Sequence, residues 1–230
     1  MQELIEIRRA AKRNVFTTTI IGVFGLLVAS QLLIWLPKSA YLIGILLTSF
    51  SIVTLLVAFF KFREPLHSFV LSRKTLYFQH KSGRWQLDWN NVQRMGVPRV
   101  AKGLDYQELS MVGIKLKSYQ PFLAHISPRL ITHILMEQRP LLLYGQDREQ
   151  CNTGNCYGAD LLEDDYFKDA EGNTYKGIQA MLANRMQKLR MRLGFDIFIA
   201  AGELDRSEHE FVKLLKQCQQ HVLVDQTSHI

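Results

Sequence analysis

The stretch from Val15 to Phe60 constrains this chain more than any other feature. It reads VFTTTIIGVFGLLVASQLLIWLP, then Lys38-Ser39, then AYLIGILLTSFSIVTLLVAFF, and Lys38 is its only charge. Each half reaches the roughly 20 apolar residues that a helix needs to cross a hydrocarbon core. Only Pro37, Lys38 and Ser39 break the apolar run, so the two helices should turn back on each other at once. The expected organisation is a basic segment over 1–14, a transmembrane helical hairpin over 15–61 and a tethered domain over 64–230. The tether from Phe60 to Ser68 spans at most about 30 Å even when fully extended.

Charge sets the expected orientation. Arg8, Arg9, Lys12 and Arg13 precede the first apolar run, Lys61, Arg63, Arg73 and Lys74 follow the second, and the turn carries Lys38 alone. Lys and Arg mark the cytoplasmic side of short loops, so both termini are expected in the cytoplasm. A cleavable signal peptide is the competing reading. The apolar region is too long for one, and no small-residue cleavage site follows it. Trp35 and Tyr41 flank the turn, where interfacial aromatics belong. Inside the spans, Gly22, Gly25 and Ala29 make a small-residue face on the first helix. Gly44, Thr48 and Ser51 make one on the second. Such faces let helices approach closely in lipid. No ionisable residue lies at mid-span, so an ion or proton pathway lacks its usual signature.

The net charge of +7 is unevenly spread. Residues 146–172 hold eight acidic and two basic residues, whereas 64–145 hold eleven basic and five acidic. The basic flanks of the hairpin suit anionic headgroups. The acidic run reads as a solvated loop. Its spacing does not fit a calcium-binding loop, because Gly172 would place Phe167 at the first ligand position. Cys151, Cys156 and Cys218 are the three cysteines. An odd count argues against a disulfide framework and for a reducing compartment.

After residue 67 the hydrophobic period becomes that of strands. Ser68–Ser72, Thr75–Gln79 and Trp85–Trp89 read as short strands, with Gly83 in the second turn. Val92–Val97 and Ser110–Lys117 read as two more. The stretch TLYFQHKSGRWQLDWNNVQRMGV resembles the opening of bacterial pleckstrin-homology-like domains, in which a strand pair joined at a Gly turn leads into a Leu-x-Trp-x-x-Val-x-x-Met pattern. Together with VGIKLKSYQPFL, SPRLITHILMEQRPLL and FDIFIAAGELDRSEHEFVKLL, the chain resembles a bacterial family of two-helix membrane proteins with no assigned function. The resemblance implies a multi-pass protein of the bacterial inner membrane. It also implies a membrane α-hairpin followed by an α+β, β-rich PH-like barrel or sandwich with a C-terminal helix.

Three helices are expected in that domain. Ser127-Pro128 starts one over about 127–139, an insertion relative to a minimal PH-like fold. Residues 178–193 carry an apolar arc of Ile178, Met181, Leu182, Met186, Leu189 and Leu193. Arg185, Lys188 and Arg192 edge that arc, and basic residues beside an apolar stripe can snorkel at a membrane surface. The competing reading is a core-packing helix with a solvated edge. Ser207-Glu208-His209-Glu210 is a capping box that opens a last helix.

Candidate chemistry is sparse. Cys151 and Cys156 lie in CNTGNC, but a zinc site needs four ligands in related pairs and no second Cys pair exists. The seven histidines show no metalloprotease spacing, and no P-loop, dinucleotide fingerprint or Gly-x-Ser-x-Gly elbow is present. No metal, cofactor, nucleic acid or small-molecule substrate is expected, since residues 64–230 are only +2 and lack an aromatic RNA-reading motif. The expected activity is a non-catalytic interaction module that meets a membrane-protein partner, another copy of itself or the anionic leaflet. Arg73, Lys74, Arg185, Lys188 and Arg192 are its candidate membrane-surface contacts. The rival is a thiol-dependent, membrane-tethered enzyme using Cys151 or Cys156.

Overall fold

A computed structural model describes residues 5–8, 15–35, 41–62, 67–102, 105–144 and 162–227. The chain divides into a helical unit over residues 9–66 and a second unit made of residues 1–8 and 67–230.

The helical unit consists of α1 (Val15–Trp35) and α2 (Tyr41–Phe62), both long and apolar enough to cross a membrane. Small residues hold them together. Gly22, Ala29, Gly44, Ser51 and Ala58 are buried, as is Val15 at the start of α1, and most of the rest of the two helices is exposed and apolar. A methyl group at Gly22 would stand 2.8 Å from Leu55, one at Gly25 2.6 Å from the Ser51 hydroxyl, and one at Gly44 2.5 Å from Leu33. Positions 22, 25 and 33 thus meet 55, 51 and 44, the order of an antiparallel pair. Thr19, Thr48, Ser51 and Thr54 donate their hydroxyls to carbonyls one turn back, so these polar groups are satisfied within the helices.

The second unit begins before the hairpin. Ile5–Arg8 is β1, and it pairs antiparallel with β2 (His67–Leu71), Ile5 opposite Leu71 and Arg8 opposite His67. The segment 1–14 is therefore more than a basic flank, since Ile7 is fully buried in the sheet's core. The helical pair is inserted in the connection between two neighbouring strands. β3 (Thr75–His80) and β4 (Gly83–Asp88) complete a four-stranded antiparallel meander in the order β1-β2-β3-β4. β3 and β4 show the alternation expected of a half-buried sheet, with Leu76, Phe78, Trp85 and Leu87 inward.

A single-turn 3-10 helix over Trp89–Asn91 carries the chain into a second antiparallel sheet. This one has the order β11-β8-β5 and is built from β5 (Val92–Gly96), β8 (Met111–Leu116) and β11 (Ile197–Ala200). Two separate hairpins, β6–β7 (Arg99–Lys102, Asp105–Glu108) and β9–β10 (Tyr166–Lys168, Thr174–Lys176), add two-stranded ribbons. Among the described residues no sheet closes into a barrel. Phe69, Leu76 and Trp85 of the first sheet meet Val112, Ile114 and Ile197 of the second in one core.

Helices cover what the sheets leave open. α3 (Gln120–His125) and α4 (Pro128–Glu137) supply Phe122, Leu123, Leu130 and Ile131 to the core. α5 (Ile178–Leu193) adds Leu182 and Met186 to it. Its last turn, with Leu189 and Leu193, joins Phe195, Phe198, Leu141 and Leu142 in a smaller cluster. Phe195 packs against Gly113, where a methyl group would stand 2.4 Å from its ring, and crowds Gly96, where one would stand at 3.2 Å. α6 (Glu208–Thr227) opens with the reciprocal capping box: the Ser207 amide donates to Glu210 at 3.2 Å, and the Glu210 amide donates to the Ser207 hydroxyl at 3.4 Å. It buries Phe211 and Leu215 completely, and the Phe211 ring sits 5.3 Å from that of Phe69.

Candidate functional site

The five basic residues expected at a membrane surface fall into two groups. Arg73 and Lys74 are exposed in the tight turn between β2 and β3. Arg185, Lys188 and Arg192 lie on one side of α5 as the helical period requires, but that side packs on protein. The side chains of Arg185 and Glu163 are 3% and 2% exposed and form an ion pair through Arg185 Nε. Arg185 Nη1 also donates to the Leu135 carbonyl at 3.4 Å. Lys188 donates to the Leu162 carbonyl at 2.9 Å and lies 3.3 Å from the second Glu163 oxygen. Arg192 donates to the Leu142 carbonyl. The snorkelling reading of Arg185 is thereby corrected: its charge is spent on Glu163, which the sequence had placed in a solvated acidic loop.

A buried polar cluster surrounds Asp196, whose side chain has no exposure. Arg190 donates to it from both Nε and Nη2 at 2.6 Å. The Leu116 amide donates at 2.7 Å and the Tyr119 hydroxyl at 3.0 Å. Arg190 also donates to the Leu116 carbonyl and stacks 4.9 Å from the centre of the Tyr119 ring. Burial, then the Asp196 charge, push the Tyr119 phenol well above its usual range, so it stays protonated. A carboxylate with every lone pair engaged by fixed donors is a brace, here joining the end of α5 to β8 and the start of β11. It has no vacant acceptor for acid–base chemistry.

A cavity of about 80 Å³ lies between β3, β4, α4, α5 and β11. Phe78, Trp85 and Phe122 form its aromatic wall, and His80, His133, Glu137 and Gln138 add polar groups. The two imidazoles stack with centroids 4.4 Å apart, and His133 Nε2 stands 3.5 Å from Glu137 one turn along α4. His80 Nδ1 accepts the Ser82 amide at 3.1 Å. Among the described residues no three His, Cys, Asp or Glu side chains are grouped to hold a metal ion. Cys218 is half-buried on α6, and burial raises its thiol above the usual range, which disfavours a thiolate. Cys151 and Cys156 lie outside the described residues.

A family model described as a protein of unknown function (DUF2982) matches residues 69–221. That is well over half of the chain. The chain belongs to DUF2982. The match runs from inside β2 into α6, so the DUF2982 region takes in the second sheet, the first sheet without β1, the cavity and the Asp196 brace. No curated protein and no solved structure matches. The family identifies a shared domain and leaves its activity open.

Proposed function

We propose that this protein is a membrane-anchored, non-catalytic interaction module. In this reading α1 and α2 span the bacterial inner membrane, both termini lie in the cytoplasm, and the DUF2982 region is a PH-like domain held at the cytoplasmic leaflet. The observation that carries the proposal is the insertion of the apolar helical pair between β1 and β2, strands that are hydrogen-bonded neighbours. A domain joined to its anchor through both strands of a hydrogen-bonded pair is restrained far more than one on a single tether. That favours a role as a positioned docking surface at the membrane. The strand meander, followed by a C-terminal helix that inserts Phe211 and Leu215 into the core, supports the PH-like relationship.

The thiol-enzyme alternative makes the opposite demand on the chain. In a deletion strain with a scorable phenotype, a Cys151→Ser/Cys156→Ser chain should complement fully, whereas a chain without residues 9–66 should not. Loss of complementation in the double serine variant, at normal protein levels, would favour the enzyme.

A further inference from the structure

The register of the first sheet distinguishes its two ends. Arg8 pairs with His67, so the chain leaves for the helical pair and returns from it at the same end. Antiparallel pairing brings the β3–β4 turn to that end as well, because Phe69 faces Phe78 and His80 faces Gly83. The β2–β3 turn with Arg73 and Lys74 lies at the opposite end, across from Asp88, which pairs with Thr75. With about 3.3 Å per strand residue, the two ends of β2 are roughly 13 Å apart. That exceeds the screening length of about 8–10 Å at cellular salt.

The near end is basic. Lys81 and Arg84 flank the β3–β4 turn and are exposed. The corner between α3 and α4 closes on this turn: the Ser127 amide donates to the Arg84 carbonyl at 3.0 Å, and the Arg84 amide donates to the Ser127 hydroxyl at 3.2 Å. Arg129, two residues on in sequence, is exposed. An open groove next to the turn is lined by Tyr77, Arg84, Gln86, His125 and Ser127, with no acidic side chain. Among the described residues neither Lys81, Arg84 nor Arg129 forms an ion pair. The connection from Phe62 to His67 spans at most about 17 Å at ~3.3–3.6 Å per residue. In sequence the two connections hold Arg9, Lys12, Arg13 and Arg63 against one acid, Glu64.

We infer that Lys81, Arg84 and Arg129 form the surface by which this domain docks on the anionic lipid headgroups of the leaflet that holds its anchor. This rests on the membrane-anchored reading above. Exposed cations without acidic partners complement lipid phosphate, and the sheet's register sets them where the anchor departs. Arg73 and Lys74, at the far end, do not serve this contact.

The test uses the full chain, reconstituted into discs of phosphatidylcholine alone or mixed with phosphatidylglycerol, with amide exchange read by mass spectrometry. Segments 79–86 and 124–131 should exchange more slowly in the anionic discs at low salt, and the difference should vanish at high salt. Lys81→Glu/Arg84→Glu/Arg129→Glu should abolish it, the docking equilibrium weakening about five-fold for each charge removed. Arg73→Glu/Lys74→Glu should leave it unchanged. Core amides of β8 serve as the folding control and should match the unmodified chain. Equal exchange in both discs, or protection at 72–75 instead, overturns the docking surface while leaving the anchor intact. Release of the chain from native membranes by alkaline carbonate would overturn the anchor and the docking surface together.

Discussion

Removing the Arg185 side chain should cost the DUF2982 region far more than removing an exposed arginine. Arg185 and Glu163 are almost fully buried, and breaking such a pair typically costs about 3–5 kcal/mol because an uncompensated charge is left behind. Lys188 decides where in that range each variant falls. It stands 3.3 Å from the second Glu163 oxygen, so Arg185→Ala leaves the carboxylate one cationic partner and should cost about 3 kcal/mol. Glu163→Gln strands the buried Arg185, which unlike Lys188 cannot turn to solvent, and should approach about 5 kcal/mol. In a domain of this size 1 kcal/mol moves the thermal midpoint by about 2–4 °C, giving roughly 6–12 °C for Arg185→Ala and 10–20 °C for Glu163→Gln. Replacing the pair together, as Glu163→Leu/Arg185→Met, should recover most of the loss, since a well-packed apolar pair is often no worse than an ion pair. Lys188, 25% exposed, can then turn to solvent. Thermal unfolding of the full chain in micelles, followed through the buried Trp85 and Trp89, reads these shifts. A midpoint change below about 2 °C for both single variants would refute the buried-pair account, since that is under about 1 kcal/mol here.

Ile7→Ala should destabilise the same transition by about 2–5 kcal/mol, because a fully buried residue of β1 is truncated. A midpoint equal to that of the unmodified chain would mean that β1 does not pair. Cysteines at Gly22 and Leu55 should form a disulfide in membranes, and Gly25→Leu should sharply lower its yield by driving the helices apart at Ser51; an unaffected yield would contradict the close packing. Glu108 accepts hydrogen bonds from His209 first and Arg99 second, which hold its carboxyl below the usual range. The resulting link from β7 to α6 is thus present above the ordinary carboxylate range and lost as pH falls through the lowered value. Amide protection across Asp105–Glu108, corrected for the intrinsic slowing of exchange in acid, should fall on acidification, and Glu108→Gln should make that protection independent of pH in the same range.

Much of this architecture was legible in the sequence, and the failures have physical causes. The helical pair announced itself through length and hydropathy, and its small residues fell at the interface where close approach needs them. The meander was readable because alternation in β3 and β4 coincides with Gly83 in the turn between them. The capping box at Ser207 was readable because its partners are three residues apart. β1 was not, because Ile5-Glu6-Ile7-Arg8 is too short to carry a period. Its partner lies some sixty residues away, beyond the apolar hairpin. Arg185 was misassigned because helical spacing reports which residues share a side and not what covers that side. Glu163 lies in an acidic run that reads as solvated, and its burial depends on packing between distant segments. Ser127 illustrates a subtler miss. It precedes α4 as a cap residue should, but its hydroxyl accepts the Arg84 amide, closing the edge of β4 instead of capping the helix. The same tertiary bond fixes the basic corner at the near end of the sheet, which no local pattern could have revealed.

The measurement that tests the central claim most directly is the sidedness of β1, the hairpin turn and the β3–β4 turn. In a chain carrying Cys151→Ser, Cys156→Ser and Cys218→Ser, single cysteines at Gln2, Ser39 and Ser82 would be probed with a membrane-impermeant thiol reagent in right-side-out vesicles. The anchored-module account predicts that Ser39→Cys is labelled in intact vesicles, whereas Gln2→Cys and Ser82→Cys are labelled only after lysis. Labelling of Ser39→Cys and Ser82→Cys from the same side, or of Gln2→Cys and Ser82→Cys from opposite sides, would contradict it.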